Sequence, residues 1–215
     1  MFVLGTLMGS FVAEMNEIPK PNKWEMGGYH QLRHHFNCRG LDADTKPLPT
    51  SQDWDIYKNM YKTMVDEHAT FDDPVPSTEG YTLNKDGPPP FYAALGTRGR
   101  GLFASRDIKK GELVHDGSNN DLRFPNALAW RQYVISLPRR MACDAIDWTW
   151  TQHQEIRTDM NIAILMNAAN WKSEGETEPN LSASIKMYAT RDIKKGEELL
   201  YNYEEHDKNW GSVGL

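Results

Sequence analysis

At 215 residues the chain can fill one good core with an elaborated flank, and its 39% hydrophobic and 25% charged residues match an ordinary globular protein. Its 30 acidic side chains against 24 basic ones leave a formal charge of −6, which argues against a nucleic-acid backbone as direct partner and favours a basic ligand or a Lys/Arg-rich peptide. Only Cys38 and Cys143 are present. Two cysteines exclude a cysteine-clustered zinc site and do not resemble a secreted disulfide framework, so a reduced, intracellular setting is expected.

In chain order, residues 2–13 are apolar but too short to span a bilayer, and the missing basic leader disfavours a signal peptide. No other segment is apolar enough to cross a membrane. His30, His34 and Cys38 recur at four-residue steps, as ligands on one helix face would. No fourth ligand is evident and Gly27-Gly28 opposes a long helix, so no metal site is expected. Thr50 or Ser51 caps a helix near 52–69, in which Trp54, Tyr57, Met60, Tyr61, Met64, Val65 and His68 form one apolar face. Residues 71–90, rich in Pro, Gly, Asp, Ser and Thr, read as a surface connection.

After Pro90 the texture becomes β. Segments 91–95 and 101–104 flank a Gly99-Arg100-Gly101 turn, and 112–115 follows. Residues 125–137 read as a helix with Leu128, Trp130, Tyr133, Val134 and Leu137 partly on one side, while 139–150 returns to strand-like composition. Asp144 and Asp147 within it read as surface or channel-rim groups, Asp144 placed to draw in a basic substrate. A short helical piece over 161–169, a polar loop over 172–179 and strands at 182–188 and 198–203 complete a mostly β domain with a helical insertion.

One nine-residue phrase occurs twice: Ala104-Ser105-Arg106-Asp107-Ile108-Lys109-Lys110-Gly111-Glu112, then Ala189-Thr190-Arg191-Asp192-Ile193-Lys194-Lys195-Gly196-Glu197, identical at eight of nine positions. An isolated pair is no solenoid. It reads as one tight turn used twice, with a buried Ile, solvated lysines and a Gly free to take positive φ, shaping backbone and carrying no chemistry.

Three stretches together resemble the SET-domain protein lysine methyltransferases: Gly99-Arg100-Gly101-Leu102-Phe103-Ala104; Asn161-Ile162-Ala163-Ile164-Leu165-Met166-Asn167 with the later Pro179-Asn180; and Gly196-Glu197-Glu198-Leu199-Leu200-Tyr201-Asn202-Tyr203. The resemblance implies a SET β-clip with a pseudoknot over 89–206, preceded by a partly helical flank over 1–88 and followed by a short tail over 207–215. It implies S-adenosylmethionine as cofactor, held by Gly99, Arg100 and Gly101 through their backbone and by Asn167 and Ala168. Tyr203 matches the catalytic tyrosine. Tyr201 matches the position that affects how many methyl groups are added, and a Tyr there suggests mono- or dimethylation. Tyr133 and Trp210 are further candidates for the lysine channel. The implied partner is a protein segment carrying lysine, in a histone or another basic protein.

The chain departs from the family pattern where Ile164-Leu165 stands for Arg-Phe and Ala168-Ala169 for His-Ser, and where the span from Ala169 to Pro179-Asn180 is longer than the family's. It also lacks the cysteine triad of a zinc-bound lid after Tyr203. An inactive SET-like regulatory module is therefore the alternative, with a β-clip domain for another small molecule behind it, since that would leave Tyr203 and Asn167 unexplained.

Overall fold

The computed structural model describes residues 23–41, 46–71, 89–117, 121–169, 178–203 and 209–215. The apolar opening over 2–13, most of the connection over 71–90 and most of the loop over 172–179 lie outside those residues.

Four α-helices are present among the described residues: α1 (Tyr29–His35), α2 (Ser51–Met64), α3 (Ala127–Ile135) and α4 (Arg139–Asp147). Thr50 starts α2 with a capping box, its hydroxyl accepting from Asp53 N at 3.2 Å while the Asp53 carboxylate accepts from Thr50 N at 2.7 Å. The helix stops at Met64, short of the expected 69. Beyond it, Asp66 takes the His68 N–H onto its own carboxylate at 3.0 Å, the local bond by which Asp competes with helical pairing.

The strand-like reading of 139–150 is overturned by α4. Arg139, Arg140, Met141 and Ala142 are good helix formers, and Pro138 stands at the N-cap, where its missing N–H costs nothing. The helix puts Asp144 and Asp147, three residues apart, on one side.

The strands form small sheets. Hairpin β1 (Phe91–Gly96)–β2 (Gly99–Ala104) pairs Gly96 with Gly99 across its turn, and β3 (Leu113–Asp116) pairs antiparallel with β8 (Lys186–Tyr188). Strands β4 (Asp121–Phe124), β6 (Glu155–Asp159) and β5 (Trp150–Gln152) lie in that spatial order. The short strands β7 (Asn167–Ala168) and β9 (Leu200–Tyr201) pair in parallel.

Strand β9 is held from both sides. Ala169 N donates to Tyr201 O on one flank, and Asn180 N and Leu181 N donate to Leu200 O on the other. The fully buried Asn180 side chain accepts from Leu200 N at 2.8 Å and donates to Glu198 O at 2.8 Å. Leu199 N also donates to Leu102 O, so β2, β7 and the last strand are tied together.

The two copies of the repeated phrase pack against each other. Ile108 and Ile193, each 1% exposed, bridge antiparallel. Asp107 accepts from Lys195 N and Lys194 Nζ, both at 3.0 Å; Asp192 accepts from Lys110 N at 3.0 Å and Lys109 Nζ at 3.2 Å. Each turn thus caps the other. Gly111 and Gly196 sit at φ +82° and +83°, a region closed to most L side chains.

One hydrophobic core runs through flank and strands alike. Trp54 and Tyr57 of α2 pack on Trp148 with ring centroids 5.5 and 5.2 Å apart, and Tyr61 meets Phe124 at 5.4 Å. Burial of such side chains is worth about 1.5–3 kcal/mol each. The cysteine reading is corrected as well: Cys38 and Cys143 are bonded to each other, fastening the segment after α1 to α4. Cys38 is therefore no metal ligand.

Candidate functional site

At the start of β2, the Asn167 amide donates to Arg100 O at 2.8 Å and to the Glu198 carboxylate at 2.9 Å. This brings the Gly99–Gly101 segment, the Asn167 segment and the approach to β9 into one place. Gly99-Arg100-Gly101 is not the expected turn but the start of β2, the turn itself falling at Thr97-Arg98. A Cβ on Gly101 would stand 2.7 Å from Glu198 Oε1 and 3.0 Å from Asn167 Nδ2, so a larger residue would push the carboxylate and amide out of this arrangement. Arg98 pairs with Glu198 at 2.9 Å, setting a cation beside the carboxylate. Ala168 lies opposite Tyr201 in the β7–β9 pair.

The Arg100 side chain turns the other way. It makes a two-pronged bond to Asp144, with distances of 2.8 and 2.7 Å, and Lys46 Nζ approaches the same carboxylate at 3.1 Å. Asp144 is fully buried, which overturns its reading as a surface or rim group that draws in substrate. It is a hub joining β2, α4 and the N-terminal flank. Asp147, one turn further on, takes Arg33 and Lys46.

The two phenols belong to β9 and its exit: Tyr201 ends the strand and Tyr203 follows two residues later. Tyr201 and Tyr203 have ring centroids 4.6 Å apart, and the Tyr203 hydroxyl donates to Met166 O at 2.5 Å, next to Asn167. Burial pushes Tyr203 up to about 12, partly offset by its hydrogen bond with Tyr201, and burial raises Tyr201 further. Both phenols are neutral near pH 7. With its proton committed to Met166 O, the Tyr203 oxygen retains lone pairs with which to accept.

Both tyrosines line a cavity of about 430 Å³, walled also by Trp148, Trp150, Ile164 and Met187. Trp210 lines it too. Tyr133 does not: it is 2% exposed, packed against Phe124 and Tyr61, with its hydroxyl on Met160 Sδ at 3.9 Å. Its position on α3 marks it as inward-facing without saying which interior it faces.

Sequence reasoning gave no role to Glu198, Arg98, His115 or Tyr29. Glu198 stands inside the quoted Gly-Glu-Glu run, a signal that was present. His115 and Tyr29, which line the cavity, carry no local signature. Among the described residues no cluster of His, Cys, Asp or Glu is arranged to hold a metal ion, and no helix is long and apolar enough to cross a membrane.

A family model for the SET domain matches residues 99–204. No curated protein sequence matches the chain. Among solved structures, a candidate histone methyltransferase of Plasmodium falciparum is 19% identical over 54% of this chain and 95% of that one, with a TM-score of 0.37. Polycomb Repressive Complex 2 of Chaetomium thermophilum, autoinhibited and bound to S-adenosylmethionine, is 26% identical over 54% of this chain, with a TM-score of 0.37. A humanized mutant of that complex bound to the inhibitor GSK126 is 27% identical over 52%, with a TM-score of 0.35. The match spans only 15% and 14% of those two Polycomb chains. Residues 99–204 of this chain are a SET domain, mostly strand with a few helices and preceded by a helical N-terminal region.

Proposed function

We propose that this chain is an S-adenosylmethionine-dependent protein-lysine N-methyltransferase, acting on a lysine in a histone or other basic protein and adding one or two methyl groups. Residues 89–206 would be the catalytic domain, 1–88 a flank and 207–215 a tail. The observation that carries the reading is the Tyr203 hydroxyl, anchored on Met166 O at the wall of an aromatic-lined cavity, while Asn167, next to Met166, holds the glycine-flanked start of β2.

The residues present suit the amino-acid end of the cofactor. The backbone of Gly99, Arg100 and Gly101, the Asn167 amide and the Ala168 backbone would hold it, with the Glu198 carboxylate and Arg98 guanidinium matching its ammonium and carboxylate. When bound, S-adenosylmethionine supplies a methyl group on a cationic sulfur.

The chain's own task is alignment and exclusion of water. Tyr203 Oη would accept a hydrogen bond from the lysine amine and fix its direction. A lysine of ordinary pKa, about 10.4, arrives charged. Burial beside the aromatic rings would lower that value against the opposing pull of Asp147 and Asp159 in the same lining, and the ammonium would give its proton to water at the cavity mouth, leaving the amine lone pair as nucleophile. Tyr201, beside it, would use its hydroxyl to limit the room for added methyl groups.

Radiolabelled methyl transfer to core histones and to cell lysate tests this. Tyr203→Phe should lower labelling by about 100-fold or more while calorimetric S-adenosylmethionine affinity stays the same. Tyr201→Phe should move the products toward higher methylation by mass spectrometry. Equal labelling by wild type and Tyr203→Phe would remove Tyr203 from the chemistry. A second reading, a SET-like regulatory module without turnover, is favoured by Ala168-Ala169, and absence of any S-adenosylmethionine binding would select it.

A further inference from the structure

Three rings from three parts of the chain stand in one stack beside the phenol cavity. Trp130 of α3 is fully buried and tethered by its indole N–H to Thr149 at 2.9 Å. Tyr29 lies 6.3 Å from it with planes 21° apart, and Trp210 lies 4.1 Å from Tyr29 with planes 7° apart. Tyr29 and Trp210 both line the cavity that holds Tyr201 and Tyr203.

The neighbour of Trp130 in sequence fixes the segments that carry the other two rings. Arg131, only 7% exposed, donates from Nε to Gly27 O at 2.6 Å and from Nη2 to Gly214 O. Gly27 precedes Tyr29 by two residues, and Gly214 closes the 3-10 turn Trp210–Val213. Leu215 N donates back to Trp210 O at 2.9 Å. A single planar guanidinium, with donors in a rigid fork, therefore sets the spacing of two segments otherwise far apart in the chain.

We propose that Tyr29 and Arg131 are positioning residues that hold Trp210 as a wall of the lysine cavity, so that the N-terminal flank helps to select the substrate segment. The proposal rests on the methyltransferase reading for the identity of its ligand, the alkylammonium side chain of lysine. An indole is the best aromatic surface for such a cation and its aliphatic stem. A stacked partner limits its motion, so less ordering is left to occur when substrate enters.

The test uses the full chain and the variants Tyr29→Ala, Tyr29→Phe, Arg131→Gln and Arg131→Lys, with Tyr29→Leu as a volume-keeping second variant should Tyr29→Ala fail to fold. One readout follows the Trp210 indole N–H resonance, assigned with Trp210→Phe, on titration with n-butylammonium. The other separates KM from kcat with core histones as acceptor. The resonance should move in wild type and Tyr29→Phe, and much less in Tyr29→Ala, Tyr29→Leu and Arg131→Gln. Histone KM should rise about 3- to 10-fold in those three, with kcat within twofold and S-adenosylmethionine affinity unchanged. Arg131→Lys should fall short of wild type, because one ammonium cannot serve both carbonyls in the fork geometry. Folded Tyr29→Ala or Tyr29→Leu with wild-type response and KM overturns the inference. Histone labelling by wild type without any Trp210 response also overturns it and leaves the methyltransferase reading intact. A Trp210 response with no labelling of any acceptor sinks that reading and leaves the aromatic wall standing.

Discussion

His115 would face away from the core if β3 were regular, because neighbouring side chains on a strand point to opposite faces. The register of β3 against β8 slips between Leu113 and His115, and both Val114 and His115 are buried, at 1% and 3% exposure. The imidazole meets the cavity with Nδ1 unpartnered among the described residues, and burial lowers its pKa to about 4 despite the nearby Asp116. In the unfolded chain the same group titrates near 6.5. Between these values the unfolded chain binds more protons, so stability is full above pH 6.5 and is lost as pH falls toward 4. The loss amounts to roughly 3 kcal/mol when complete. Urea midpoints measured from pH 7.5 to 4.5 should fall more steeply for wild type than for His115→Phe; parallel curves would show that this imidazole does not set the acid limit.

At the scale of elements, the paired turns behave as one unit built from two copies. Ile108→Ala or Ile193→Ala should each cost about 3 kcal/mol, within the range for a buried aliphatic side chain cut to Ala. Because the two side chains meet, the double variant should cost less than the sum by about 1 kcal/mol in urea unfolding. Strict additivity would mean that the copies merely coexist. These turns, the hairpin at Gly99 and the cap at Thr50 were legible in the sequence because each is written in a few consecutive residues. Helix α4 was not, since Arg139–Asp147 has a buried side that contains Cys143 and Asp144, and an acid reads as exposed until Arg100 and Lys46 are seen against it. The site was legible to the same degree. Gly101, Asn167, Tyr201 and Tyr203 stand in recognisable phrases, whereas Tyr29, Arg131 and His115 owe their placement to contacts that no local pattern encodes.

Across the whole molecule, the flank and the SET domain share a core and a covalent tie. The Cys38–Cys143 bond closes a span of 105 residues, and its removal should cost about 2–4 kcal/mol. Denaturant midpoints with and without reductant check this, and Cys38→Ala and Cys143→Ala should each reproduce the reduced value; an unchanged midpoint would show that noncovalent packing alone fixes the flank. The clasp around β9 bears on how the protein is born. Leu200 and Tyr201 seat between Asn167–Ala169 and Asn180–Leu181 only after both have been synthesised, and Tyr203 comes two residues later. On the ribosome, the nascent chain therefore lacks the strand that locks its centre until Tyr203, the phenol proposed for catalysis, is close to being added. Closure of the lock and arrival of Tyr203 fall together at the end of synthesis, so a prematurely truncated chain would be unlocked and, under the proposed chemistry, inert as well.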